Sequence, residues 1–108
     1  MVQAASHKKI FISYLQKVMK IKQGFVLREV CGEQVIVGEG LGAINFGKLL
    51  ALNETAGWLW KQAQGMGDFS IELLTEQLCN EYDVSPEEAR KDVENIIDEW
   101  KKVEVVED

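Results

Sequence analysis

Apolar residues change their spacing once along this chain, near Leu50-Ala51-Leu52, and that change orders the rest. Before it the apolar runs are short, β-branched and bounded by glycine; after it they recur at intervals of three and four. Phe25-Val26-Leu27-Arg28-Glu29-Val30-Cys31 and Gln34 to Val37 read as two strands joined through Gly32-Glu33, a Gly-X pair suited to a type II′ hairpin turn. Phe46 to Leu52 reads as a third strand. Asn53 then stands where an N-cap belongs, Glu54 sits at the positive end of the helix dipole, and Ala56, Leu59, Trp60 and Ala63 share one face. This first helix is predicted over residues 54–64, stopping at Gly65-Met66-Gly67. A second helix is capped by Ser70 and carries the stripe Ile71, Leu74, Leu78 and Tyr82. The third has Ser85 as cap, Pro86 at its first position, Glu88 closing a capping box, and the stripe Ala89, Val93, Ile96, Ile97, Trp100 and Val103. Val105-Val106-Glu107-Asp108 reads as a short apolar strap before a charged terminus.

Three strands followed by three helices define an α+β fold with a small antiparallel sheet. Such a sheet has two free edges, and in a soluble protein each must be covered, charged or used. The length of 108 residues suits one domain of about 100 residues and is too short for two. Charge divides the chain unevenly: residues 1–22 carry five lysines and no acid, whereas all eighteen acidic residues lie beyond them against seven basic ones. The acidic body argues against nucleic acid as a partner, because nonspecific affinity for phosphates comes from Lys and Arg. Residues 1–18 read as a flexible basic arm and residues 19–108 as the folded domain, with Met19 as an alternative start that mass spectrometry of the native protein distinguishes. The apolar run Ile10-Phe11-Ile12-Ser13-Tyr14-Leu15 is too short for a signal peptide's core with its cleavage site, and far short of the ~20 residues of a spanning helix. No membrane association is therefore expected. Cys31 and Cys79 are widely separated and form no CxxC pair, which reads as two reduced, buried thiols in a cytoplasmic protein.

Catalytic groups are scarce. His7 is the only histidine and lies in the arm, so no histidine-based acid–base pair can be assembled, and one His with two distant Cys makes no structural zinc site. Gly38-Glu39-Gly40-Leu41-Gly42-Ala43 lacks the GKS or GKT that ends a phosphate loop and reads as a plain loop. The carboxylates between Glu87 and Glu99 fall mostly between stripe positions, as on a solvated helix face. No catalytic residue, metal or cofactor is expected. Trp60 and Trp100 lie on core stripes, whereas Trp58 is about 200° around its helix from Ala56 and suits either a rim residue against the glycine run or an anchor for a partner.

The order and spacing of several segments resemble the PqqD family, named for pyrroloquinoline quinone biosynthesis. The segments are the β-hairpin, Leu52-Asn53-Glu54-Thr55-Ala56 followed by Trp60, the Ser-capped second helix, and Glu81-Tyr82-Asp83-Val84 leading into Glu87-Glu88-Ala89 and Asp92-Val93. The resemblance covers about residues 20–104. It implies a winged-helix-like fold and a noncatalytic peptide chaperone, one that binds the leader segment of a ribosomally made precursor peptide and presents it to a radical S-adenosylmethionine enzyme or another maturase. It further implies that the leader adds as a strand to the third strand, at Phe46, Lys48 and Leu50, with the third helix as the opposing wall around Arg90, Val93, Glu94 and Ile97. Strand addition agrees with the free sheet edge reached independently, since it draws affinity from backbone hydrogen bonds and specificity from side-chain pockets. Two other classes compete: a winged-helix DNA-binding protein, which the acidic second and third helices disfavour, and an accessory subunit that homodimerises through its sheet edge.

Overall fold

A computed structural model describes residues 17–39 and 49–108. The basic arm up to Gln16, with His7, and the segment from Gly40 to Lys48, with Phe46 and Lys48, lie outside the described residues. The elements run β1 (Met19–Ile21), β2 (Phe25–Val30), β3 (Glu33–Gly38), β4 (Leu49–Leu52), α1 (Glu54–Met66), β5 (Asp68–Phe69), α2 (Ile71–Glu81), α3 (Pro86–Lys102) and β6 (Val106–Glu107).

The fold is α+β. An antiparallel sheet in the order β2-β3-β4 corresponds to the three strands read from the sequence, and the three helices follow it. A second, smaller sheet in the order β5-β1-β6 was not anticipated. It gives the C-terminal strap a definite role: Val105 and Val106 are buried, and Val106 pairs with Ile21.

The hairpin turn falls one residue earlier than expected. Val30 is paired with Glu33, so the connecting residues are Cys31 and Gly32. Their φ angles of 52° and 80° are both positive, as in a type I′ turn, and the type II′ expectation is corrected. The type I′ turn matches the right-handed twist of the flanking strands and puts Cys31 in the left-handed region, with glycine beside it. The cysteine expectation also needs correction: both thiols are free, but Cys31 is exposed and Cys79 half-buried. A side chain at the tip of a hairpin has no second layer above it to exclude water.

The core lies between the inner face of β2-β3-β4 and the helix stripes. Ile36 and Leu52 from the sheet meet Ala56, Leu59, Trp60 and Ala63 from α1, Leu74 and Leu78 from α2, and Ala89, Val93, Ile97 and Trp100 from α3. At its centre Trp60 and Trp100 meet edge to face, with ring centroids 5.1 Å apart, and Phe69 meets Trp100 in the same manner at 6.4 Å. Trp58 is half-buried and packs edge-on against Tyr82 at 5.5 Å, so its partner is the aromatic residue that ends α2.

Local capping signals place the helices. Ser70 accepts a hydrogen bond from the Leu73 N–H at 3.1 Å and Ser85 one from the Glu88 N–H at 3.2 Å. Helix α1 runs past Gly65 and ends at Gly67, whose positive φ turns its N–H back to the Ala63 carbonyl. Helix α3 closes with a Schellman motif: the Val105 N–H reaches the Trp100 carbonyl and the Glu104 N–H the Lys101 carbonyl, each at 3.1 Å. The left-handed position in that motif is held by Glu104 at φ 61°, where glycine carries no Cβ penalty. Glu104→Gly relieves a left-handed penalty of about 1–2 kcal/mol against an entropy cost of about 0.5–1 kcal/mol for glycine, so it is expected to stabilise the domain by about 0.5–1 kcal/mol, read from the midpoint of urea unfolding.

Candidate functional site

Strand β4 is an outer strand of its sheet, with β3 on one side and no described strand on the other. Pairing of Leu50 with Ile36 and of Leu52 with Gln34 fixes its faces. Leu50 and Leu52 turn inward, Leu52 into the core and Leu50 half-buried against it, while Ala51 is exposed on the outer face. Successive residues of an edge strand aim their backbone N–H and C=O groups alternately at the sheet and away from it. The outward groups of β4 are thus open to a further strand among the described residues.

What lies beside this edge follows from the start of α1. Asn53 Oδ1 accepts a hydrogen bond from the Ala56 N–H at 2.8 Å, ending the strand and starting the helix with no intervening loop. Gly57, in the first turn, is buried beneath the side-chain amide of Gln34; a Cβ at this position would collide with that amide. Glycine here lets the first turn approach β3 closely and brings Asn53 and Thr55 up beside the end of β4. Asn53→Ala is expected to lower stability by about 1 kcal/mol through loss of the cap, measured as a shift in the thermal midpoint.

An open groove of about 520 Å³ separates this junction from α3. Asn53 and Thr55 form one wall, and Asp92, Asn95, Ile96 and Glu99 supply much of the other, which continues through Asp98 and Lys102. Ile96 is the half-buried apolar residue of that wall, and Asp92, Asn95 and Glu99 are exposed. A second open space, of about 500 Å³, adjoins the opposite side of Asn53 and is bordered by Glu29, Glu33, Ala51 and Glu54.

The residues expected to face a guest peptide separate into distinct environments. Leu50 lies on β4, at its inner face. Val93 and Ile97 are sealed in the core. Arg90 and Glu94 are exposed on the flank of α3 that faces α2: the Arg90 guanidinium bonds to Glu72 and to Glu94, each at 3.1 Å, and these carboxylates raise its pKa above the ordinary value. None of these four α3 residues borders the groove beside Asn53. Sequence reasoning missed Asp92, Asn95, Ile96, Glu99 and Thr55 as groove residues. The available signal was Ile96, which widens the apolar stripe of α3 on the side away from Arg90.

Among the described residues no group of three or more His, Cys, Asp or Glu side chains is placed to hold a metal ion. No described helix is long and apolar enough to cross a membrane.

Comparison with known structures first defines a class of fold. The chain is similar to a structure of TbiB1 in complex with the TbiA(β) leader peptide, with a TM-score of 0.64 and 17% identity over 81% of this chain and 93% of that one. It is likewise similar to a lasso peptide synthetase B1 complexed with its leader peptide, with a TM-score of 0.63 and 17% identity over 82% of this chain and 95% of that one. At this identity the likeness establishes a shared fold. The sequence then places the chain more narrowly: residues 28–106 match the family described as coenzyme PQQ synthesis protein D (PqqD), and the chain belongs to that family. No curated protein matches it significantly.

Proposed function

We propose that this protein is a noncatalytic peptide-binding subunit. It takes up the leader segment of a ribosomally made precursor peptide as an added strand on β4 and presents the peptide to a maturation enzyme, a radical S-adenosylmethionine enzyme in the first instance. The observation that carries this reading is the outer strand β4, with outward backbone groups open among the described residues and a groove against α3 continuing from its end. Added strands gain affinity from backbone hydrogen bonds and specificity from pockets that receive alternate side chains. Membership of the PqqD family, and the leader peptides bound to both similar structures, support the same assignment. The Phe46 and Lys48 positions precede β4 in the chain and belong to the proposed edge; on α3 the proposed contacts shift from Arg90 and Glu94 to Asp92, Asn95, Ile96 and Glu99.

The DNA-binding alternative is weakened by the helices themselves. Helix α2 carries Glu72, Glu76 and Glu81 without a basic residue, and the groove face of α3 is acidic, whereas nucleic-acid recognition needs a basic surface. Pairing of two copies through β4 would compete with the guest for one edge, and sedimentation across concentration distinguishes it.

The test is a titration of ¹⁵N-labelled protein with a synthetic leader segment, taken from a short precursor peptide to be sought in the reading frames neighbouring its gene. Amide signals of residues 49–53 and of the 92–99 face of α3 are expected to shift together. Shifts confined to the α2 side of α3, or none at all, would reject the proposed site.

A further inference from the structure

We infer that the guest segment is basic: it carries two Lys or Arg residues, two or four positions apart, that pair with Asp92 and Glu99 across the groove. This rests on the peptide-binding reading above and names the chemistry of the peptide. The carboxylates do not define the site, which is set by the outer edge of β4, open among the described residues, and the groove beside it; they determine which peptide fits there.

The charges bordering the groove are Asp92, Asp98, Glu99 and Lys102. Lys102 lies 3.4 Å from Asp98, one turn away on the same helix, and those two charges largely cancel. Asp92 and Glu99 remain exposed, and neither is in an ion pair with another described residue. They are seven positions apart, so they project from one side of α3 about 10 Å apart along its axis. Ile96 lies between them.

An extended guest presents side chains to one side every second residue, about 6.6–6.8 Å apart, so positions i and i+4 lie about 13 Å apart. Long, flexible Lys and Arg side chains bridge the difference between either spacing and the carboxylate separation, and in the four-position spacing an apolar side chain midway between them, on the same side of the strand, can rest on Ile96. Glu29, Glu33 and Glu54 border the second open space that also adjoins Asn53, and add to the negative charge around this junction. An acidic guest would meet like charge on both sides of this junction, a repulsion that separates right from wrong partners more strongly than surface ion pairs add affinity.

The experiment compares the full-length protein with its Asp92→Asn/Glu99→Gln variant. The probe is the same synthetic leader segment as in the titration above, together with a version in which its Lys and Arg residues are replaced by Gln. Both substitutions are isosteric and exposed, and circular dichroism checks that the fold is unchanged. For the unaltered pair, affinity is expected to fall steeply between low and high salt. The double variant should bind about five- to tenfold more weakly at low salt, with a flattened salt dependence. The Gln peptide should bind both proteins equally. Leader binding at β4 with full affinity for the variant, or a leader whose bound segment contains no Lys or Arg, overturns this inference and leaves the peptide-binding reading standing. Absence of leader binding by the unaltered protein overturns both.

Discussion

Replacing Trp100 with alanine is expected to cost about 3–5 kcal/mol, a large share of the total stability of about 5–15 kcal/mol that is usual for a domain. Trp100 is fully buried, touches Trp60 and Phe69 through edge-to-face contacts, and its carbonyl accepts the Val105 N–H in the Schellman motif that closes α3. Its removal leaves a cavity that neither the sheet nor the other helices can fill without moving. A companion substitution makes the prediction more specific. The indole N–H groups of Trp60 and Trp100 are both buried with no hydrogen-bond partner among the described residues, and an unpaired buried donor carries its own penalty. Trp100→Phe removes such a donor while keeping a ring in the cluster, so it should cost well under half of the alanine change. Urea unfolding of both variants measures the two values. Similar losses would mean that the indole nitrogen contributes no penalty and that ring size alone governs the site.

Blocking the guest's backbone is expected to produce the largest functional effect. In an added strand, alternate residues direct both N–H and C=O toward the host edge and the others direct theirs away. N-methylating the leader one residue at a time should therefore weaken binding with a period of two. Each methyl directed at β4 should cost at least about tenfold through a lost hydrogen bond and a steric clash, while those between should have little effect. The scan reports on strand addition itself, because it does not depend on any host side chain. Helical docking would give a period near 3.6 instead, and uniform sensitivity would reject both arrangements.

Much of the architecture was legible because its signals are local. Asn53, Ser70 and Ser85 each cap the helix they precede, and the stripes of α1 and α3 point into the core as their spacing requires. What escaped was either very short or dependent on distant partners. Met19–Ile21, Asp68–Phe69 and Val106–Glu107 are strands of two or three residues, too brief to show a period, and they exist because β1 finds both neighbours. The β2–β3 turn shifted by one residue because Cys31 accepts a left-handed conformation that sequence reasoning assigned to glycine alone. The groove posed a different problem. The stripe of α3 identifies which residues face inward, but its two flanks, Arg90 with Glu94 and Asp92 with Glu99, are both polar and charged. Only the packing of α3 between α2 and the β4–α1 junction assigns the first flank to Glu72 and the second to the groove.

The small sheet has a consequence for how the chain acquires its structure during synthesis. Strand β1 is made first, yet its neighbours β5 and β6 come much later, the last of them after all three helices. The β2–β3 hairpin and the α2–α3 pair can form from contacts close in sequence, but pairing of Ile21 with Val106 waits until the C-terminal strap has emerged. On a translating ribosome the β2-β3-β4 edge can therefore be assembled before the domain is locked. A sheet edge that forms before the core closes is the kind of element on which misassembly between unfinished chains begins.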